Sequence, residues 1–141
     1  MVTELKVGYA FVAGDVLHVG ILRLLRFARG LCDFLIVGVL TDEAVASYKR
    51  SPIIPFDERV DIISSLKYVD MVVAQNSRDT TETLKGLVKE GWNIELLIHG
   101  DDWPEIPGAD YIQSIGGRVV RTPYYTLQST TKIIDKIRGI Q

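Results

Sequence analysis

The chain has 141 residues, of which 47% are hydrophobic and 24% are charged, and its formal net charge is −2. This length fits one domain over residues 1–141, and the charge gives no positive field that would favour nucleic acid as a partner. No apolar run is long enough to predict a membrane span, and Glu4 and Lys6 interrupt the pattern of a signal peptide. The single cysteine, Cys32, cannot form an internal disulfide, so we expect a reducing compartment, the cytoplasm.

The first part of the chain alternates strand and helix patterns. Residues 5–12 are mostly apolar and predict a buried strand, whereas residues 18–28 predict a helix because their apolar positions recur at helical spacing. Gly30 is expected to stop that helix. Residues 34–40 form a continuous apolar run, which is typical of a parallel strand buried on both faces. Residues 41–48 predict a short helix.

The middle of the chain continues this alternation. Residues 49–55 hold two prolines and two basic residues and predict a loop. Residues 56–66 predict a helix with two acids in its first turn, where negative charge is favourable to the helix dipole. A third strand is predicted over residues 71–74, and a helix over residues 80–90 that ends at Gly91.

The last part of the chain adds two more strands. Residues 95–98 predict the fourth strand and residues 118–121 the fifth, with a short helix over residues 110–115 between them. A last helix is predicted over residues 129–137, with Ser129 as its N-cap. Because strands alternate with helices throughout, we expect a single α/β domain with a doubly wound, five-stranded parallel sheet and helices on both faces.

The predicted sheet also indicates where a ligand would bind. Ligands of such sheets lie outside the carboxyl ends of the strands. This rule brings four segments to one edge, namely residues 13–20, 41–55, 99–103 and 123–131.

The first of these segments is a turn that leads into a helix N-terminus. The free N–H groups of such a terminus bind anions, and His18 would lie beside them as a further donor to phosphate oxygens. Gly20 would let a phosphate or the backbone come close. The alternative is that Asp15 and His18 only cap the helix.

The second segment supplies cations. Lys49 and Arg50 lie in the proline-containing loop, and Arg59 lies on the helix that follows. Because two prolines limit the freedom of the loop, these cations can be presented to a ligand; the alternative is ordinary solvated surface charge.

The third segment places two acids and an indole at a strand end. Asp101 and Asp102, which follow Gly100, can hold Mg²⁺ through water, accept substrate hydroxyls or orient a base. Trp103 can stack on a ligand or simply pack. His99 is expected to be structural rather than catalytic.

The fourth segment opens the last helix with Gln128, Ser129, Thr130 and Thr131. Three hydroxyls and free N–H groups predict a second phosphate cradle, although N-capping would need Ser129 alone. The chain holds neither a P-loop pattern nor a Cys/His cluster typical of zinc.

Taken together, these motifs resemble the cytidylyltransferase-like family of nucleotidyltransferases, especially the glycerol-3-phosphate cytidylyltransferase type. The likeness covers nearly the whole chain. It rests on an F-D-x-x-H-x-G-H pattern, a T-D-E pattern, a basic loop, a segment before strand three, a G-D-D-W pattern and an R-T-x-G-I-S-T-T pattern. The matching residues are Asp15, His18 and Gly20; Thr41, Asp42 and Glu43; Lys49, Arg50 and Arg59; residues 66–70; Gly100, Asp101, Asp102 and Trp103; and Ser129, Thr130 and Thr131.

Two positions depart from the family pattern. The second histidine of the first motif is replaced by Ile21, and the family arginine before the last helix falls on Tyr124, with Leu127 at the glycine. Arg121 lies three residues before Tyr124 and is a candidate substitute, although it would then be part of the fifth strand. A lost phosphate bond of this kind costs roughly 1.5–3 kcal/mol.

The resemblance implies a Rossmann-like fold, a homodimer, and an in-line attack of a phosphate or phosphonate oxygen on the α-phosphorus of a nucleoside triphosphate. It implies His18 and Lys49 as catalytic residues, and Mg²⁺ bound to the triphosphate rather than directly to the protein. Acceptor contacts are expected from Lys49, Arg50, Trp103 and Tyr124. Nucleotide contacts are expected from Ala10, Phe11, Val12, Asp15, His18, Gly20, Arg59, Gly100, Asp101, Asp102, Gln128, Ser129, Thr130 and Thr131.

The substrates remain open at this point. The Gly100 to Trp103 motif favours CTP within the family, whereas residues 108–111 and 116–117 also resemble adenylyltransferases of heptose-phosphate synthesis. Residues 123–125 resemble cytidylyltransferases of phosphonate pathways. Candidate acceptors are therefore glycerol 3-phosphate, ethanolamine phosphate, a small phosphonate or a sugar phosphate. A nucleotide-binding protein without turnover is the non-enzymatic alternative.

Overall fold

The computed structural model describes residues 5–123 and 125–139. Its five strands form one parallel sheet in the order β3-β2-β1-β4-β5. The strands are β1 (Val7–Val12), β2 (Phe34–Leu40), β3 (Met71–Gln75), β4 (Ile94–Gly100) and β5 (Arg118–Thr122). The helices are α1 (Val19–Gly30), α2 (Asp42–Ala46), α3 (Phe56–Ser64), α4 (Thr81–Lys89), α5 (Ala109–Ser114) and α6 (Thr130–Ile137).

The core consists of two apolar layers, one on each face of the sheet. Tyr9 and Phe11 of β1 face a layer that includes Leu84 of α4 and Ile112 of α5. The alternate residues of β1 face a second layer, which includes Leu25 of α1 and Ile63 of α3. Both faces of the central strands are therefore buried, which explains the continuous apolar runs of these strands. The predicted α/β fold class is confirmed.

The strand order reverses between β1 and β4, because β2 follows β1 on one side and β4 lies on the other. A crevice opens at such a reversal, at the carboxyl ends of the two strands. The end of β1 leads directly to the turn before α1, and the end of β4 to Asp101 and Asp102. The fold therefore places these two predicted segments on either side of one crevice.

Several predicted boundaries differ from the observed ones by one or two residues. Helix α1 ends at Gly30 as expected, two residues beyond the predicted run, and is capped by Leu31, whose N–H donates to Ala28 O at 3.0 Å. The fourth strand extends two residues beyond the predicted end, because His99 and Gly100 stay paired with β5 despite their unsuitable side chains. The first strand begins at Val7 instead of residue 5, since the Lys6 N–H donates to the Asp33 carboxylate.

Within residues 5–123 and 125–139, no helix is long and apolar enough to cross a membrane.

Candidate functional site

A cavity of about 720 Å³ lies at the carboxyl ends of β1 and β4. It draws its walls from all four predicted segments and from the first turns of α1. Its charged and imidazole lining residues are His18, Arg23, Arg26, Lys49, Arg50, His99 and Asp102. Four lysines and arginines thus face one carboxylate, in a chain whose net charge is −2. Such a cavity favours a polyanionic ligand.

His18 is the N-cap of α1, and its ring is fixed by the backbone. Its Nδ1 accepts a hydrogen bond from the Gly20 N–H at 3.0 Å. Because Nδ1 is occupied as an acceptor, the neutral ring carries its proton on Nε2. Burial lowers the pKa of His18, and the nearby Lys49 ammonium lowers it further. His18 is thus a cap of α1, whereas Asp15 is not, and the cap leaves Nε2–H as a neutral donor on the wall of the cavity.

Two backbone features make this arrangement possible. A Cβ on Gly20 would lie 2.8 Å from His18 Cε1 and 3.0 Å from His18 Nδ1, so only glycine leaves room for the ring. Val16, in the turn before His18, has a φ of 52°, a left-handed conformation that is costly for a β-branched residue. Strained turns of this kind occur at functional sites.

The N-terminus of α6 lies against that of α1. The Thr130 hydroxyl donates to Asp15 O at 2.5 Å, and the ideal Cβ position of Gly20 is 3.6 Å from Gln128 O. Two helix N-termini therefore converge on one cavity, where their dipoles both favour negative charge.

The hydroxyls at the start of α6 are already engaged. Ser129 Oγ accepts from the Lys132 N–H at 3.1 Å, as an N-cap does, and Thr131 Oγ1 accepts from Arg50 Nη1 at 3.1 Å. Ser129 and Thr131 accept these bonds and keep their own O–H groups to donate, whereas the Thr130 O–H already donates to Asp15 O, so the predicted phosphate cradle stays a prediction. To an anion, this segment offers the Ser129 and Thr131 hydroxyls, the N–H groups of the turn and the Arg50 guanidinium.

Lys49 and Arg50 reach the cavity from the loop after α2. Partial burial lowers the pKa of Lys49, and the neighbouring Arg50 guanidinium lowers it further. Arg50 Nε is buried and has no hydrogen-bond partner within the described part of the chain. A phosphate in the cavity would relieve both features, because it supplies acceptors and negative charge.

Asp15 and Arg59, which the sequence predicted as nucleotide contacts, are both bonded to groups of the protein itself. Both Asp15 carboxylate oxygens accept backbone N–H bonds, from Ile53 and Ile54, at 2.9 Å. Arg59 is fully buried and donates to the carbonyls of Ala13, Ile54 and Leu40 and to the Asp42 carboxylate. Neither residue lines the cavity. Together they hold the basic loop against the ends of β1 and β2.

Three further residues that were expected to contact substrates are not found on the cavity wall or lie outside the described residues. Ala10 is fully buried in the core, and neither it nor Asp101 lines the cavity. Tyr124 lies outside the described residues. The remaining nucleotide and acceptor residues expected from the sequence do line the cavity, namely Phe11, Val12, His18, Gly20, Lys49, Arg50, Gly100, Asp102, Trp103, Gln128, Ser129, Thr130 and Thr131.

An aromatic stack forms one wall. His99 lies between Phe11 and Trp103, with ring centroids 4.5 Å from each. Burial lowers the pKa of His99. The Arg78 guanidinium lies 4.1 Å from the Trp103 ring centroid and 4.9 Å from that of Tyr48.

Sequence reasoning missed several residues of this site. Tyr48 lines the cavity directly before Lys49, and Arg78 covers the aromatic wall from the loop after β3. Arg121 does lie in β5, but it holds the carbonyls of Trp103 and Pro104 at 2.6 and 2.9 Å. Only Tyr48 had a sequence cue, its position beside the basic pair.

The comparisons with known proteins agree with this geometry. The pattern of a family described as Cytidylyltransferase-like matches residues 15–135. The Bifunctional protein HldE of Gluconacetobacter diazotrophicus is 33% identical over 139 residues, which are 96% of this chain and 28% of that protein. The Ethanolamine-phosphate cytidylyltransferase of Arabidopsis thaliana is 36% identical over 88 residues, which are 62% of this chain and 21% of that protein. The chain spans about a quarter of the length of these curated relatives.

Solved structures share the fold. The lipopolysaccharide core biosynthesis protein from Thermoplasma volcanium superposes with a TM-score of 0.72 at 23% identity, over 86% of this chain and 99% of that one. A pantoate-beta-alanine ligase from Francisella tularensis gives a TM-score of 0.56 at 16% identity, over 99% of this chain and 72% of that one. At these identities the likeness supports the Rossmann-like architecture alone.

Proposed function

The chain belongs to the cytidylyltransferase-like family, and we propose that it joins the nucleoside monophosphate of CTP to a small phosphorylated alcohol or phosphonate, with release of pyrophosphate. The observation that carries this proposal is the charge of the cavity. Four lysines and arginines and two helix N-termini surround a space with one carboxylate. Such a cavity would stabilise the combined negative charge of a triphosphate and a phosphorylated acceptor.

The reaction needs no covalent enzyme intermediate. An anionic oxygen of the acceptor attacks the α-phosphorus in line, a new phosphorus–oxygen bond forms, and the α–β bridging bond breaks. Pyrophosphate leaves with the electron pair, and no proton has to move because the nucleophile is already an anion. The protein's contribution is then to position two anions and to stabilise the charge that develops on the leaving group.

His18 is the central residue of this mechanism. Its Nε2–H is the donor that remains after Nδ1 is bound to Gly20, and it would donate to oxygens of the triphosphate. A neutral imidazole gives a directional hydrogen bond whose strength rises as negative charge accumulates in the transition state. The lowered pKa keeps the ring in this neutral form at pH 7.

Lys49 and Arg50 would reduce the repulsion between the two substrates. Their charges lie on the loop that Asp15 and Arg59 hold in place. Lys49 would contact the acceptor phosphate and the α-phosphate, and Arg50 would link the acceptor to the start of α6 through Thr131. Trp103, which also lines the cavity, would pack on the acceptor.

Mg²⁺ would enter with the triphosphate. Among the described residues, no group of three histidine, cysteine or acidic side chains could hold an ion. Asp102 is the carboxylate on the cavity wall that would hold the ion through water. The chemistry of the ion would be to neutralise phosphate charge.

The choice of CTP rests on the Gly100 to Trp103 motif and on the ethanolamine-phosphate cytidylyltransferase relative. The alternative is adenylyl transfer to a sugar phosphate, which the resemblance over residues 108–117 suggested. In the fold, Gly108 and Gly116 adopt positive φ values of 99° and 89° at the ends of α5, and neither lines the cavity. The turns account for the two glycines, and adenylyl transfer to a sugar phosphate stays the second candidate function, since relatives named Bifunctional protein HldE match over 94–96% of the chain.

Pyrophosphate release tests the proposal directly. Four nucleoside triphosphates should be combined with glycerol 3-phosphate, ethanolamine phosphate, a small phosphonate and a sugar phosphate. We expect a signal with CTP that His18→Ala abolishes and that Arg138→Ala, an exposed charge away from the cavity, leaves unchanged. Nucleotide binding with no pyrophosphate from any pair would instead identify a non-catalytic nucleotide-binding protein.

The quaternary state and location belong to the same proposal. We propose a cytoplasmic homodimer, as the family resemblance implied. Sedimentation at micromolar concentration would test the dimer, since a monomer there would contradict it.

A further inference from the structure

Resting on the proposed nucleotidyl transfer, we infer that Arg23 and Arg26 of α1 hold the β- and γ-phosphates of the triphosphate. The family pattern places a histidine at position 21 and an arginine at position 124, and this chain has Ile21 and Tyr124 there. Two phosphate donors of the pattern are thus missing. The cavity nevertheless contains two arginines on α1 that the pattern does not include.

Both arginines lie where they can take over this task. They line the cavity together with Ile21, and they are three residues apart, so they share one face of α1. Side chains of a helix lean toward its N-terminus. This lean favours guanidinium positions toward the end of α1 at which His18 lies.

Among the described residues, Arg23 and Arg26 do not form an ion pair of the kind that Arg29 forms on the same helix. Arg29, on the same helix, forms an ion pair with Asp70 at 3.0 Å and donates to Cys32 O. In the described part of the chain, Arg23 and Arg26 form no ion pair. Both side chains are exposed and without a carboxylate partner in that part, so an anion that enters the cavity would meet two guanidinium groups that are free to bind it.

Tyr125 orients one of these cations. The Arg23 guanidinium lies 4.7 Å from the Tyr125 ring centroid. Stacking on a ring uses the face of the guanidinium and leaves its N–H edge free for oxygens. Arginine edges bind phosphate in a bidentate manner, which suits the two terminal phosphates of a triphosphate and the pyrophosphate that leaves.

The test compares three ligands: one with the nucleoside and all three phosphates, one without the two terminal phosphates, and one without the nucleoside. Calorimetry should measure CTP, CMP and inorganic pyrophosphate on the wild type, Arg23→Ala, Arg26→Ala and the double variant. Arg118→Ala combined with Arg138→Ala is the matched control, because these arginines are exposed and lie off the cavity. All variants remove exposed side chains, so thermal unfolding should stay close to that of the wild type.

We expect each single variant to weaken CTP and pyrophosphate binding about tenfold and the double variant about a hundredfold, with CMP affinity unchanged. Equal weakening of CMP and CTP, or unchanged CTP and pyrophosphate binding, would overturn the inference. A wild type that binds pyrophosphate through these arginines but releases none from any nucleotide would contradict the proposed function and leave this site in place.

Discussion

The substitution Gly20→Ala separates the position of His18 from the stability of α1. The new Cβ would lie 2.8 Å from His18 Cε1, so the ring must rotate and lose its 3.0 Å bond to the Gly20 N–H. Loss of an N-cap costs about 1 kcal/mol, whereas alanine gains about 1 kcal/mol over glycine inside a helix. These two effects nearly cancel, so we expect the melting temperature to change by only about 3 °C or less.

Activity should respond much more strongly than stability. A displaced Nε2–H loses a bond to a charged phosphate, which is worth roughly 1.5–3 kcal/mol, or a 10- to 100-fold loss in the rate of pyrophosphate release. Gly30→Ala is the control on the same helix, because its Cβ would meet nothing within 4 Å. It should raise the melting temperature and leave the rate unchanged. A Gly20→Ala protein with the wild-type rate would refute this role of the His18 ring.

Three further predictions test other parts of the account. Burial and Lys49 lower the pKa of His18 from 6.5, so its contribution to stability is complete above pH 6.5 and is lost as the pH falls through the folded-state pKa; an NMR titration midpoint above 6.5 would contradict this. Arg59→Met should reduce the free energy of unfolding in urea by about 3–5 kcal/mol, whereas a fully stable variant with weaker nucleotide binding would restore the nucleotide-contact role. Arg78→Ala removes the cation above Trp103 and should raise the acceptor KM roughly two- to fivefold with the CTP KM unchanged; a changed CTP KM alone would argue against an acceptor wall.

Much of the fold could be predicted from the apolar pattern. Strands that are buried on both faces of the sheet have continuous apolar runs, which can be recognised in the sequence. The strand Phe34–Leu40 is found with its predicted bounds, since every residue of that run is apolar or glycine. The error at β4 has the opposite cause. His99 and Gly100 have poor strand side chains, but the ladder to β5 holds their backbone in the sheet, and such pairing is invisible in one segment of sequence.

The site could be predicted as a set of segments but not as a set of contacts. The rule for parallel sheets located the four segments correctly, because it depends only on where strands end. The roles of Asp15 and Arg59 depend on backbone groups of Ile53, Ile54 and Leu40, which come from distant positions. In the sequence, a charged residue that bonds to backbone N–H or C=O groups cannot be told from one that binds a ligand.

The part played by α1 was missed for a related reason. Arg23 and Arg26 have the spacing of a solvent-facing helix surface, which is what most charged positions between apolar ones represent. Only the packing of α6 and Tyr125 beside α1 turns that surface into the wall of a cavity.

The central claim is that this cavity transfers a nucleotidyl group with His18 as the phosphate donor. Phosphorus-31 NMR of the wild type with CTP, Mg²⁺ and the acceptor panel tests it most directly. We predict equal amounts of pyrophosphate and of a new diphosphate diester with at least one acceptor, and neither product with His18→Ala. Orthophosphate as the sole product, or a His18→Ala protein that forms the diester at the wild-type rate, would contradict the account.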